Sequence, residues 1–123
     1  MRTTLSVLVG WLYLASPVLA SPEIVIVVGP SSHPPGTHEV AAGARLLKYC
    51  LENLESEPSL EVEIFDAWPN DTTPLSACRA LVFMGDQFPG ARLPESERIM
   101  HDLATLAARG CGMTALHYGV GLG

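Results

Sequence analysis

The chain has 123 residues, enough for one domain, and is apolar-rich and acidic with a formal net charge of −6. Its sparse lysines and arginines form no cluster, which argues against a nucleic-acid partner, because phosphates call for a basic patch. It contains no internal repeat and no low-complexity tract.

The first twenty residues read separately from the rest. Arg2 supplies a positive start, Leu5–Leu14 an apolar run too short to span a bilayer comfortably, and Val18-Leu19-Ala20 a small-residue cleavage pattern after the Ser16-Pro17 break. This predicts a signal peptide over residues 1–20. The mature chain from Ser21 is then exported, periplasmic or secreted, with no stable membrane insertion once the leader is removed. The alternative is an uncleaved N-terminal anchor. Of the three cysteines, Cys50, Cys78 and Cys111, at least one is left unpaired. All three fall in apolar surroundings and are expected to be buried thiols acting as small hydrophobes. No C-x-x-C pair supports a redox motif or a structural zinc site.

Glu23–Val28 is almost wholly apolar and β-branched, as suits a parallel strand covered on both faces. Gly29-Pro30 ends it, and a Gly/Pro-rich loop runs to Thr37 or His38. Thr37 is expected to cap the next helix through its hydroxyl. Over residues 39–55, Val40, Ala44, Leu47, Leu51 and Leu54 recur at helical spacing, with Arg45, Lys48 and Glu52 on the outer side. Leu60–Asp66 alternates apolar and acidic residues, which indicates an edge strand. Pro74–Cys78 is a short helical turn, and Ala80–Met84 is a third, apolar strand. A second Gly/Pro loop, Gly85–Arg92, carries Asp86 and Gln87.

Leu93-Pro94 opens a second helix, with Pro94 at its first position and Glu95 and Glu97 at the positive end of its dipole. Ile99, Leu103 and Leu106 form its buried stripe, with Met100 and Ala107 beside it; His101 lies on the solvated face. Gly110 stops it. Cys111–Leu116 is a fourth strand, followed by His117-Tyr118-Gly119-Val120-Gly121. The alternation predicts a flavodoxin-like α/β three-layer sandwich, with a parallel sheet in the order 2-1-3-4. The fourth strand has no following helix in the sequence, so residues 21–123 read as the N-terminal part of a larger domain, incomplete at the C-terminus.

In that order the loops after strands 1, 3 and 4 open on one rim. They carry His33, His38 and Glu39; Asp86 and Gln87; and His117 with Tyr118. His33, His38 and His117 are the candidate catalytic acid–base groups or, alternatively, ligands of a divalent zinc, iron or manganese. Glu39, Asp86 and Tyr118 are candidate substrate-binding residues, with Asp86 ranked below the histidines. No phosphate-binding glycine motif and no G-x-S-x-G elbow is present.

The segments IVIVVGPSSHPPGTHEVAAGARLLKYCLE, VEIFDAWPND, LVFMGD and ARGCGMTALHYGVG, in that order, resemble the ThuA-like (trehalose utilisation) domain family. The best-matching parts are S-H-x-x-G-x-H-E at Ser32–Glu39 and G-x-x-x-x-H-Y at Gly112–Tyr118. The resemblance implies a fold like that of class I glutamine amidotransferases and a role in carbohydrate metabolism, on trehalose or keto-glycosides. His117 stands where that superfamily places its nucleophilic cysteine, so cysteine-dependent amidotransfer is not expected. The implied partner is a small-molecule carbohydrate. The oligomeric state stays open. So do two other readings: a non-catalytic sugar-binding or accessory module, and an inactive truncated product.

Overall fold

The structure, a computed structural model, describes residues 22–55, 60–86 and 94–116. The leader read over residues 1–20, and Gln87, His117 and Tyr118, lie outside them. The chain runs β1 (Ile24–Val28), α1 (Val40–Glu52), β2 (Val62–Phe65), a 3-10 turn (Thr73–Ser76), β3 (Ala80–Met84), α2 (Ser96–Ala108) and β4 (Gly112–Leu116). The sheet is parallel throughout, in the order β2-β1-β3-β4, so the architecture is the expected flavodoxin-like α/β arrangement. Ile26 pairs with Ile64 on one side and with Val82 on the other, and Val82 pairs in turn with Thr114.

The faces of β1 explain its unbroken hydrophobicity. Val25 and Val27 enter one apolar cluster with Leu81, Phe83 and the α2 residues Ile99, Leu103 and Leu106. Ile26 and Val28 enter another with Ala44 of α1 and Val62. A central strand buried on both sides has no polar face to show. Each fully buried aliphatic side chain of this kind stabilises the fold by about 1.5–3 kcal/mol. β2, at the edge, carries the alternating acidic pattern that an exposed edge tolerates.

Several local expectations are corrected. Thr37 does not cap α1: its hydroxyl donates to the Pro34 carbonyl at 2.5 Å, closing the preceding turn, and Glu39 occupies the N-cap position. Leu54 lies past the end of α1 and is exposed. Lys48 does not point outward; its Nζ donates to Glu52 Oε1 at 2.7 Å and to the Val62 carbonyl, riveting α1 to β2. Pro94 precedes α2 rather than starting it, because Glu95 takes a left-handed φ of 60° and the helix begins at Ser96. Met100 and Ala107 are exposed, one residue off the buried stripe. Cys50 is exposed, whereas Cys78 and Cys111 are buried.

The end of α2 follows the sequence. Gly110, at φ 87°, takes the left-handed position that a side chain disfavours. Its N–H donates to Ala107 (2.9 Å), and that of Cys111 to Leu106 (3.0 Å), the paired bonds of a Schellman stop. The chain is thereby turned directly into β4. Among the described residues no helix is long and apolar enough to cross a membrane.

Candidate metal centre

β1 and β3 are neighbours, yet their onward connections leave on opposite faces of the sheet. The crevice between their C-terminal ends is the switch point at which such sheets hold ligands. The strand ends approach closely there. Gly29 N–H donates to the Met84 carbonyl at 2.7 Å, and Asp86 N–H donates to the Pro30 carbonyl at 3.1 Å. Gly85 sits against Gly29 so tightly that a Cβ would lie 2.8 Å from the Gly29 Cα. Gly85 is therefore what allows both loops to leave from one point.

The loop after β1 is stiffened by Pro30, Pro34 and Pro35, each of which fixes a φ angle. A turn at Pro34–Thr37, with Gly36 at φ 84°, reverses the chain. The Glu39 carboxylate accepts the Gly36 N–H at 2.5 Å and so holds the turn to the helix start. The reversal sets the His38 ring beside that of His33, with centroids 4.0 Å apart and planes tilted by 55°.

Asp86 closes the group from the other side of the crevice. Its Oδ2 accepts the Ser32 N–H at 2.6 Å and the Ser32 hydroxyl at 2.8 Å, and lies 3.8 Å from His33 Nε2. The Asp86 side chain is only 8% exposed. Its second oxygen, Oδ1, is buried without a hydrogen-bond partner. The Ser32 N–H, then the Ser32 hydroxyl, hold the carboxyl below its usual range, with His33 and His38 acting in the same direction against burial. Asp86 is thus an anion at neutral pH.

One ligand atom from each of His33, His38 and Asp86 lies within 4.8 Å of the others. Imidazole nitrogen with carboxylate oxygen is a donor set suited to zinc, iron or manganese. Ligands about 2.0–2.1 Å from a common ion lie somewhat closer together than this, so the three side chains would draw inward on an ion. Three protein donors leave coordination positions for water or substrate.

The expected residues therefore divide. His33, His38 and Asp86 converge. Glu39 lies at the start of α1 and accepts the Gly36 N–H. His117 and Tyr118 lie outside the described residues, although Leu116, just before them, pairs with Met84 and so ends at the same rim as β3. His101 is exposed on α2, as expected. Sequence reasoning missed Ser32, whose two bonds position Asp86, and it placed Asp86 below the histidines although that residue is the hub.

A cleft of about 470 Å³ is lined by Gly29, Pro30 and Gly85 from the two loops, although not by His33, His38 or Asp86 themselves. Its inner wall is apolar, with Val27, Phe83 and Trp68, while Arg98, Asp66 and Glu95 supply charges of both signs. Trp68 stacks on Phe83 at 5.9 Å and donates its indole N–H to Asp102 at 3.0 Å. The volume falls in the range of small-molecule sites. Comparison with protein-family models, curated proteins and solved structures finds no match to this chain.

Proposed function

We propose that this chain is a ThuA-like domain acting on small carbohydrates, in which His33, His38 and Asp86 hold a divalent zinc, iron or manganese. One observation carries the metal: three donors from two loops, 48 or more residues apart, gather within 4.8 Å around a buried carboxylate with an unpartnered oxygen. His117 is the candidate fourth ligand, since it follows Leu116 directly in sequence. The sequence resemblance supports the carbohydrate substrate, and the adjoining cleft is of a size to take one. The leader-like residues 1–20 support export.

Bound there, the ion would polarise a sugar carbonyl or hydroxyl, or acidify a bound water. The protein's own part is to orient. Ser32 fixes Asp86, Glu39 fixes the turn between the histidines, and Gly85 keeps the two loops at contact distance. Without a metal, the same imidazoles would serve as general acid and base.

The test is titration of the metal-free full chain with Zn²⁺ and Co²⁺, with trehalose and its keto derivative as candidate substrates. One ion per chain is expected. His33→Ala, His38→Ala and Asp86→Asn should each weaken binding by more than the roughly 10–100-fold typical of residues that only orient ligands. Turnover lost with the metal supports an enzyme. Sugar binding that is indifferent to metal and shows no turnover supports the accessory-module reading. Absence of saturable metal binding defeats the metal centre.

A further inference from the structure

At the end of the sheet opposite the histidines, two thiols face each other. Cys78 leads into β3 and Cys111 into β4, with their Sγ atoms 3.7 Å apart. Both are buried, at 0% and 8% exposure. The backbone beside them is already joined: Gly112 N–H donates to the Arg79 carbonyl at 2.9 Å, one residue beyond each cysteine. Arg109 packs over the pair. Its Nη2 donates to the carbonyls of Leu75 (2.6 Å) and Cys78 (2.8 Å) and lies 3.6 Å from Cys78 Sγ.

We propose that Cys78 and Cys111 form a disulfide site, closing under oxidising conditions into a crosslink that ties the entry of β3 to the entry of β4. A disulfide is about 2.05 Å long, so the sulfurs must approach by about 1.7 Å. Rotation about the Cα–Cβ bond at each residue moves a sulfur on that scale and leaves the strand ladder in place. Cys50 does not compete within the chain, because it lies exposed on α1, whose packing residues are on the other face of the sheet. The closed loop would enclose β3 and α2, constraining the unfolded chain over 33 residues of separation.

The oxidant is a low-molecular-weight disulfide such as oxidised glutathione. One cysteine thiolate attacks a glutathione sulfur and expels glutathione thiolate. The second cysteine then attacks the protein sulfur of the mixed disulfide and expels the other glutathione. The two thiol protons pass to the two leaving thiolates. Burial, then the Cys78 thiol beside it, push the Cys111 thiol up to about 11. Because both sulfurs are buried, closure belongs to folding or to local opening and is slow in the intact fold.

The test uses the full chain with Cys50→Ser, reduced, unfolded and refolded in a glutathione redox buffer or, in parallel, in a reducing one. After oxidising refolding, alkylation in denaturant should find no free thiol, with a monomeric mass lower by two hydrogens. The Tm should exceed that of the reduced form by roughly 10 °C. Both thiols still open to alkylation, or a crosslinked form that melts below the reduced one, would overturn the proposal. Should Cys50→Ser fail to fold, cleavage of the oxidised wild type after glutamate places the three cysteines on separate peptides. A linked pair carrying Cys78 and Cys111 supports the site; a link to Cys50 in its place overturns it.

Discussion

Ser32 and Asp86 are separated by 54 residues and joined twice, by an N–H and a hydroxyl that both reach the same carboxylate oxygen. This stitch holds the loop after β1 to the loop after β3 and aims the carboxylate at the paired imidazoles. Ser32→Ala removes the hydroxyl bond and keeps the backbone one. Metal affinity should fall by roughly 10–100-fold while the urea midpoint barely moves. Calorimetric titration reads the affinity, and urea unfolding the midpoint, of the variant beside the wild type. Equal affinity would show that Ser32 does not position the ligand.

Gly85 should be intolerant of any side chain. Its φ of 157° is one that L residues rarely adopt, and an added Cβ would press on Gly29 backbone atoms that have nowhere to yield. Gly85→Ala is expected to cost about 2 kcal/mol or more in urea unfolding. The variant should also lose metal binding, because the two loops can no longer leave from one point.

Leu81 and Leu46 offer a contrast that tests the layering. Leu81 of β3 is fully buried in the cluster that includes the α2 stripe, and Leu46 is 64% exposed on α1. Leu81→Ala should destabilise by about 3 kcal/mol. Leu46→Ala should stay within about 0.5 kcal/mol. Thermal melts of the two variants check the assignment of faces.

Asp71 gives the fold a measurable acid sensitivity. Its Oδ1 accepts the Thr73 hydroxyl at 2.6 Å and the Thr73 N–H at 2.9 Å, at the start of the 3-10 turn, and these bonds lower its carboxyl pKa. A carboxyl depressed in the folded state adds stability fully above the ordinary Asp value of about 3.9 and loses it as pH falls through the folded value. Asp71→Asn should therefore lower Tm at pH 7 and leave a smaller difference near pH 2. A gap that does not change with pH would contradict the assignment.

Much of this architecture is written in the periodicity of the chain. The unbroken apolar run of β1 announces a strand buried on both faces, and the alternation around Val62 and Ile64 announces an edge. Those two facts, with the βα alternation, suffice for the order of strands. Side-chain commitments are less legible. Thr37 has the chemistry of a cap, yet it serves the turn before the helix because Pro34 offers its carbonyl first. Cys50 and Leu54 share the apolar composition of α1 but face outward or fall beyond its end. Asp86 reads equally as a ligand, an acid or base, or a plain turn residue until the crevice brings Ser32 to it, and no local pattern encodes a partner so distant in sequence. The histidines stood out because their residue type is chemically conspicuous; Asp86, a candidate of lower rank, gains its weight only from the fold.

The most direct measurement is X-ray absorption at the zinc edge of the zinc-loaded full chain. The geometry at the β1–β3 crevice predicts a nitrogen and oxygen shell at about 2.0–2.1 Å with the outer-shell scattering of at least two imidazoles, one of them lost in His33→Ala. A spectrum without imidazole scattering, or one dominated by sulfur at about 2.3 Å, would contradict it.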